Sequence, residues 1–407
     1  MINESFKYYR NLYGYEVGTP QFDKDVSHFT LFVYYLLLLT FLVTGLSKVL
    51  EIYLDYKFRF QKKLANERVA FAFTEYDQRL VLILQNMGLS LQCVSIGNFK
   101  SETINEISIS EKFVFLYSLT KPYNSFKNLY YLKKKDVVSK NKLRVIKLNG
   151  LLPIFQKTLI NKKLLINFND HSIYNSASFL FAEKLKIKTI YFQHAPVGYH
   201  FPSLYHDLNV LFGLDSLNKY QNKEHKEIYL LFDIRFFNVA KDYGYEFSKG
   251  NRVLLCINEG DDSLQVHLLI ENLKKDGFFV TLRPHPRQNL PLGFGEGAEI
   301  SKNQSIWKDL ITHEIVLGNE TGVLLEAMFA KKYVYKCCFL SNSVDNYNFL
   351  SQKLILCEYS TYQNLITDIK NFKLTYDPKK LLYYIGDSSE AESLMKNLNN
   401  KLNSLAS

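Results

Sequence analysis

The sequence predicts an α/β protein of two doubly wound units preceded by an N-terminal membrane helix, and three observations predict it. Short apolar runs alternate with amphipathic stretches in two series, one after Arg68 and one from "NRVLLCINEG" onward; this is the pattern of parallel strands joined by crossover helices. The 407 residues exceed a single core of ordinary size and suit two domains of roughly 150 to 200 residues each. Ahead of both series, "FTLFVYYLLLLTFLVTGLS" from Phe29 to Ser47 carries no charge over 19 residues, about the length of a helix that crosses a bilayer.

The apolar stretch follows a long segment of mixed charge, and no small-residue cleavage site comes after it, so it does not read as a secretory signal. It reads either as a membrane helix or as a buried helix of the first domain. Of Lys and Arg, only Arg10 and Lys24 occur in the twenty residues before it, against Lys48, Lys57, Arg59, Lys62 and Lys63 in the twenty after it. That asymmetry assigns the bulk of the chain to the cytoplasmic side of an inner membrane. The continuation "LSKVLEIYLDYKFRFQKKLANE" alternates apolar and basic residues at helical spacing, which suits a helix lying on an anionic leaflet.

In the first series, strands are expected at Val69–Phe73, Gln92–Ile96, Phe113–Leu116, Leu164–Phe168 and Thr189–Phe192, with helices at Arg79–Met87 and Ser172–Leu185. The second series has strands at Val253–Ile257, Phe279–Leu282, Glu314–Leu317 and Tyr333–Lys336. Its helices fall at Leu264–Lys275, Ser305–Leu310 and Val323–Ala330. The resulting division is an anchor and juxtamembrane helix over 1–65, a first domain over 66–235, a second over 236–387 and a terminal helix over 388–407.

Composition narrows the function classes. Hydrophobic residues make up 47% and charged residues 22%, as in ordinary globular proteins. The net charge of +10 favours anionic partners without choosing among them. The run Lys133, Lys134, Lys135, Lys140 and Lys142 fits a solvated loop as readily as a binding site, and the basic residues lack the interleaved aromatics of a nucleic-acid module. Cys93, Cys256, Cys337, Cys338 and Cys357 have no CxxC spacing and read as thiols of a reducing compartment. Neither a P-loop, GxGxxG nor a zinc pattern occurs, so ATP hydrolysis and dinucleotide chemistry have no support.

Ligands of open α/β sheets bind beyond the carboxyl ends of the strands, so the residues there carry the chemistry. "LRPHPRQNL" leaves a strand with His285 between two prolines and two arginines. The prolines stiffen that loop, and Arg283 and Arg287 beside an imidazole suit a phosphate. "GNETG" runs from the next strand into a helix, where Asn319, Thr321 and Gly322 make a candidate anion site. Glu326 lies one turn on, within reach of a ribose; alternatively Thr321 is only a cap. "NEGDDS" ends the first strand of this half with Asn258 and Gly260, a close-approach loop or simply a helix start. In the first half, two strand ends present Asp170 and His194, either of which suits a general base facing the phosphate loops across a cleft.

These residues carry a resemblance. "RPHPR", "GNETGVLLEAMFAKK" and "IYFQHAPVGYHFPSLYHDLNVLFG" resemble the GT-B glycosyltransferases of bacterial surface-polysaccharide synthesis, particularly the sialyltransferase, polysialyltransferase and Kdo-transferase-like groups, over residues 160 to 340. The resemblance implies two Rossmann-like domains facing across a cleft, and an inverting, metal-independent transfer that needs no cofactor. It implies a nucleotide-sugar donor, such as a CMP-activated acid, and a glycan or lipid-linked acceptor of capsule or lipooligosaccharide. It maps the donor-phosphate histidine to His285 with Pro286, the Ser/Thr motif to Thr321 and the Glu-Ala pair to Glu326 and Ala327. The acidic motif that supplies the base in the sialyltransferases has no clear copy in the first half, so the base carries over to Asp170. "SSEAESLMKNLNNKLNSL" would be the helix that crosses back onto the first domain. Two other readings stay open: a CDP-glycerol type polyol-phosphate transferase, and a non-catalytic polysaccharide-assembly protein.

Overall fold

The computed structural model describes residues 28–60, 67–97, 106–124, 142–169, 173–198, 204–220, 226–236, 245–258, 260–285, 296–303, 305–341, 345 and 347–406. The apolar N-terminal stretch forms two helices, α1 (His28–Thr44) and α2 (Leu46–Phe60), which meet at 104°. Gly45 makes the corner at φ +68° with open space around it, a conformation glycine adopts at little cost and which ends a helix. The stretch expected as one membrane helix is thus two: among the described residues no single helix is long and apolar enough to cross a membrane, and only the bent pair taken together has the length and composition for it. Tyr34 and Leu38 of α1 are buried beside Leu119 and Ile146, and the Tyr34 hydroxyl donates to Ser118 Oγ at 3.2 Å.

The first lobe runs β1 (Arg68–Ala72), α3 (Glu75–Asn86), β2 (Gln92–Ile96), β3 (Glu106–Ile109), α4 (Glu111–Leu119), α5 (Lys142–Leu159), β4 (Leu164–Asn167), α6 (Ile173–Lys184), β5 (Lys188–Phe192), β6 (Leu208–Phe212), α7 (Gly213–Lys219) and β7 (Glu227–Leu231). Its seven strands are parallel in the order β3-β2-β1-β4-β5-β6-β7. Alternation along β1 sends Ala70 and Ala72 to one core and Val69 and Phe71 to the other, so both faces are covered and the strand is apolar throughout. Phe113–Leu116, expected as a strand, lies instead inside α4. The Ser110 side chain caps that helix by accepting from Phe113 N, with Glu111 in the first turn, as helix starts favour.

The second lobe follows with β8 (Arg252–Ile257), α8 (Ser263–Lys275), β9 (Phe279–Pro284), β10 (Glu299–Ile300), α9 (Ile306–Thr312), β11 (Ile315–Gly318), α10 (Val323–Phe329), β12 (Tyr333–Cys337), β13 (Glu358–Tyr359), α11 (Tyr362–Lys370), α12 (Pro378–Ile385) and α13 (Ala391–Ala406). Its parallel order is β10-β9-β8-β11-β12-β13, so in both sheets the chain starts in the middle, works to one edge and then reverses. All five cysteines are free thiols.

The last helix returns to the first lobe. Ala391, Met395, Leu398 and Leu402 share one core with Leu80, Val81 and Leu84 of α3, at the 4-3-4 spacing of a helix stripe. The lobes also meet through α7 and α12: a Cβ on Gly213 (φ +66°) would come within 2.5 Å of Tyr384 O, so only glycine permits this backbone contact. Nearby, buried Lys219 bridges the lobes, its Nζ 2.6 Å from Asp215 and 2.9 Å from Tyr347 O.

Candidate functional site

Reversal of strand order opens a crevice between β8 and β11 in the second lobe, the place where such sheets take ligands. Three loops leave the sheet around it. β9 and β11 flank β8, and parallel neighbours lie about 4.8 Å apart, so the loops after them emerge roughly 10 Å from each other. His285 N donates to Ile257 O at 3.1 Å, extending the ladder one residue beyond Pro284, and the residue itself is exposed.

Arg283 turns inward. It is 9% exposed, and its Nη1 bonds the Asp309 carboxylate, Ser301 Oγ (3.2 Å) and Asn303 O (2.9 Å). Asp309 also accepts from Ser301 Oγ at 2.7 Å and Asn303 Nδ2 at 2.5 Å. Arg283, expected to contact a phosphate, ties the end of β9 to α9 and the segment before it through Nη1. Arg287 and Asp170 lie outside the described residues.

Asn258, Asn319 and Thr321 come together at the β8 and β11 ends. Asn258 Nδ2 donates to Glu320 O. Asn319, 2% exposed, donates to Ser341 Oγ at 2.7 Å and accepts from Lys336 Nζ at 3.3 Å. Lys336 is buried at the end of β12 and pairs with Glu320, which offsets the cost of placing each charge away from water. Thr321 Oγ1 accepts from Val323 N at 3.3 Å, so this hydroxyl does serve the turn into α10. Gly322 faces the other lobe: a Cβ there would meet the Pro196 ring at 3.8 Å. Gly260 is exposed with open space around it, and nothing approaches it closely. Burial raises the Asp261 carboxyl above the ordinary carboxylate range, against the lowering effect of the Asn258 N–H it accepts.

A second polar cluster joins the lobes. Arg235, in a 3-10 turn (Ile234–Phe236), holds Asp233 through Nε at 2.8 and 3.0 Å and reaches Glu326 Oε1 through Nη1 at 3.5 Å. Glu326, expected to face a ribose, is therefore engaged by the connecting segment; burial raises its carboxyl above the ordinary value, and the Arg235 charge opposes that rise. Tyr76 on α3 lies close enough for Arg235, Asp233 and Glu326 to act on it, and burial pushes its phenol up. Its hydroxyl donates to His194 O at 2.5 Å, and its ring meets the His194 ring edge-on with centroids 6.2 Å apart. His194 thus belongs to the same interlobe cluster as Glu326.

Tyr76, Asp233, Arg235, Glu320 and Lys336 went unnoticed in the sequence. The signal for two of them was present: "YLLFDIRFF" sets one acid and one base inside an apolar run at the domain boundary, where unpaired charges are not buried. Lys336 looked like the polar end of a strand, and nothing local foretold its burial.

No known protein family matches the sequence, and no curated protein does. Among solved structures, the chain is similar to the wall teichoic acid polymerase TagF, in a variant soaked with CDPG, at 9% identity and TM-score 0.50, covering 94% of this chain and 98% of that one. A second structure of TagF gives 10% identity, TM-score 0.50 and coverage of 91% and 97%. The UDP-N-acetylglucosamine 2-epimerase of Rickettsia bellii gives 12%, 0.49, and coverage of 83% and 96%. At such identities the likeness is one of fold: two parallel-sheet α/β lobes in the GT-B arrangement.

Proposed function

We propose that the chain is a glycosyltransferase that moves a sugar from a nucleotide donor to a surface-glycan or lipid-linked acceptor. The observation that carries this reading is the meeting of the second lobe's strand-end loops with the first lobe, Gly322 against Pro196 and Glu326 near Tyr76, whose ring meets that of His194. A donor held at the β8/β11 crevice is thereby brought to groups of the opposite lobe that suit an acceptor.

In this reading Asn319, Thr321, Gly322 and His285 bind the donor phosphate, with Arg287 added from the same loop as His285. Arg283 positions that loop from behind. The acceptor hydroxyl attacks the anomeric carbon as the bond from that carbon to the phosphate oxygen breaks; its proton passes to His194 or to Asp170, and the nucleotide leaves with the electron pair. Donors fixed in advance around the departing phosphate stabilise the charge that develops there. CMP-activated acids such as sialic acid or Kdo remain the preferred donors on the strength of the "RPHPR" and "GNETG" resemblance.

A second reading keeps the site and changes the cargo to a polyol phosphate carried on CDP. It is favoured by the fold likeness to TagF soaked with CDPG and by the two strand-end histidines, one in each lobe. Thermal shift with CMP, CDP, UDP and GDP tests both. A bound nucleotide raises the melting temperature by mass action, about 2.7 kcal/mol at a hundredfold excess over Kd, and the mass of the transfer product then separates sugar from polyol phosphate. Four nucleotides without effect would refute both readings.

A further inference from the structure

The α1–α2 corner presents an apolar face that the rest of the described chain leaves uncovered. Tyr34, Leu38 and Leu54 are buried against the first lobe. On the outer side Leu36, Leu39, Leu42, Val43, Val49 and Ile52 are 47 to 80% exposed. Scattered exposed apolar residues are normal, whereas six on two consecutive helices make a patch that marks an interaction surface.

What covers that surface follows from its chemistry. α1 contains no Asp, Glu, Lys or Arg in 17 residues, so it lacks the polar rim of an ordinary protein interface. Its exposed hydroxyls are satisfied within the helix: Thr40 Oγ1 donates to Leu36 O at 2.9 Å and Thr44 Oγ1 to Thr40 O at 2.6 Å, the condition a hydrocarbon environment imposes. The apolar face is followed directly by basic sequence, with five Lys or Arg against two acidic residues from Lys48 to Lys63, which complements anionic headgroups. Arms of 17 and 15 residues reach about 25 and 22 Å at 1.5 Å per residue, short of a bilayer core of about 30 Å, and the buried Tyr34 and Leu54 hold them to the lobe.

We propose that the α1–α2 corner seats the first lobe on the face of a bilayer with anionic headgroups, lying in the plane of the leaflet without crossing it. Such a seat brings the acceptor lobe to lipid-linked material while the chain stays on one side.

Flotation of the full chain with vesicles of phosphatidylcholine, alone or with phosphatidylglycerol, tests this. The wild type is expected to float preferentially with the phosphatidylglycerol vesicles. Leu42→Glu/Val43→Glu, which changes only exposed positions, is expected to lower the partition coefficient about tenfold or more without moving the melting temperature. From native membranes, alkaline carbonate is expected to release the wild type. Failure of the wild type to float, or equal flotation of the two lipid mixtures or of the double variant, would overturn the proposal. Retention through carbonate would overturn it in favour of a span, and a lipid-free dimer that the double variant splits would assign the face to a second copy of the chain.

Discussion

His285 and Arg283 sit two residues apart at the end of β9 and face opposite environments. The histidine is exposed at the last ladder bond, so truncating it opens no cavity in the core, while the arginine is buried on Asp309. His285→Ala is therefore expected to lower turnover about a hundredfold, the effect of removing one charge-stabilising donor, with an unchanged melting temperature. Arg283→Ala strands the Asp309 carboxylate and is expected to cost about 3 kcal/mol or more of stability. Steady-state kinetics beside denaturant unfolding of the two variants checks the contrast; equal stability losses would place both side chains in the same role. The histidine was legible because two prolines and a strand end isolate it in the sequence. The inward turn of Arg283 was not, since Asp309 lies 26 residues away and only the fold brings it near.

Among the elements, α7 depends on a buried ion pair as well as on glycine. Burial pushes the Asp215 carboxyl up to about 6 even with Lys219 beside it, and the same burial lowers Lys219, so the pair is held at a desolvation cost. Lys219→Met leaves a buried carboxylate alone and is expected to destabilise by about 3 to 5 kcal/mol. Asp215→Leu/Lys219→Met is expected to recover most of that loss, because two apolar groups of similar volume need no partner. A double variant no more stable in urea unfolding than Lys219→Met alone would show that the ion pair, despite its desolvation, stabilises on balance.

Elements were legible where one pattern dominated. The strands at Gln92–Ile96 and Val253–Ile257 are short, mostly apolar runs buried on both faces, and Leu264–Lys275 has a clean stripe, so each lies within a residue or so of its expected bounds. α5 escaped notice because it contains Gly150 and Pro153, the usual marks of a break. Gly150 is there because a Cβ would overlap Val114 O of α4 at 1.9 Å, a requirement of the neighbouring helix that its own sequence cannot express. Gly45 acts in the other direction: within an unbroken apolar run a single glycine looked tolerable, yet its left-handed φ turns one expected helix into two.

At the level of the whole molecule, Arg235 links the segment between the lobes to Glu326 on α10, so the lobes share a titratable contact. Burial raises the Glu326 carboxyl above its unfolded value. Between those two values the native chain retains a proton that the unfolded chain has released, so the contribution of this group to stability falls as pH rises through the window. Glu326→Gln is uncharged throughout. The melting temperature of the variant is expected to gain on that of the wild type as pH rises from the ordinary carboxylate value through the raised one, and to run parallel above it. A difference independent of pH would show that Glu326 is not held in a desolvating site between the lobes.

Transfer in this arrangement requires a nucleotide lodged where the strand order of the second sheet reverses. A crystal structure of the chain soaked with whichever nucleotide most raises its melting temperature tests that most directly. The phosphate is expected within hydrogen-bond distance of the Asn319–Gly322 loop and of His285, at the mouth facing Pro196 and His194. A nucleotide bound on the outer face of either lobe, or with its phosphate directed away from both loops, would contradict it.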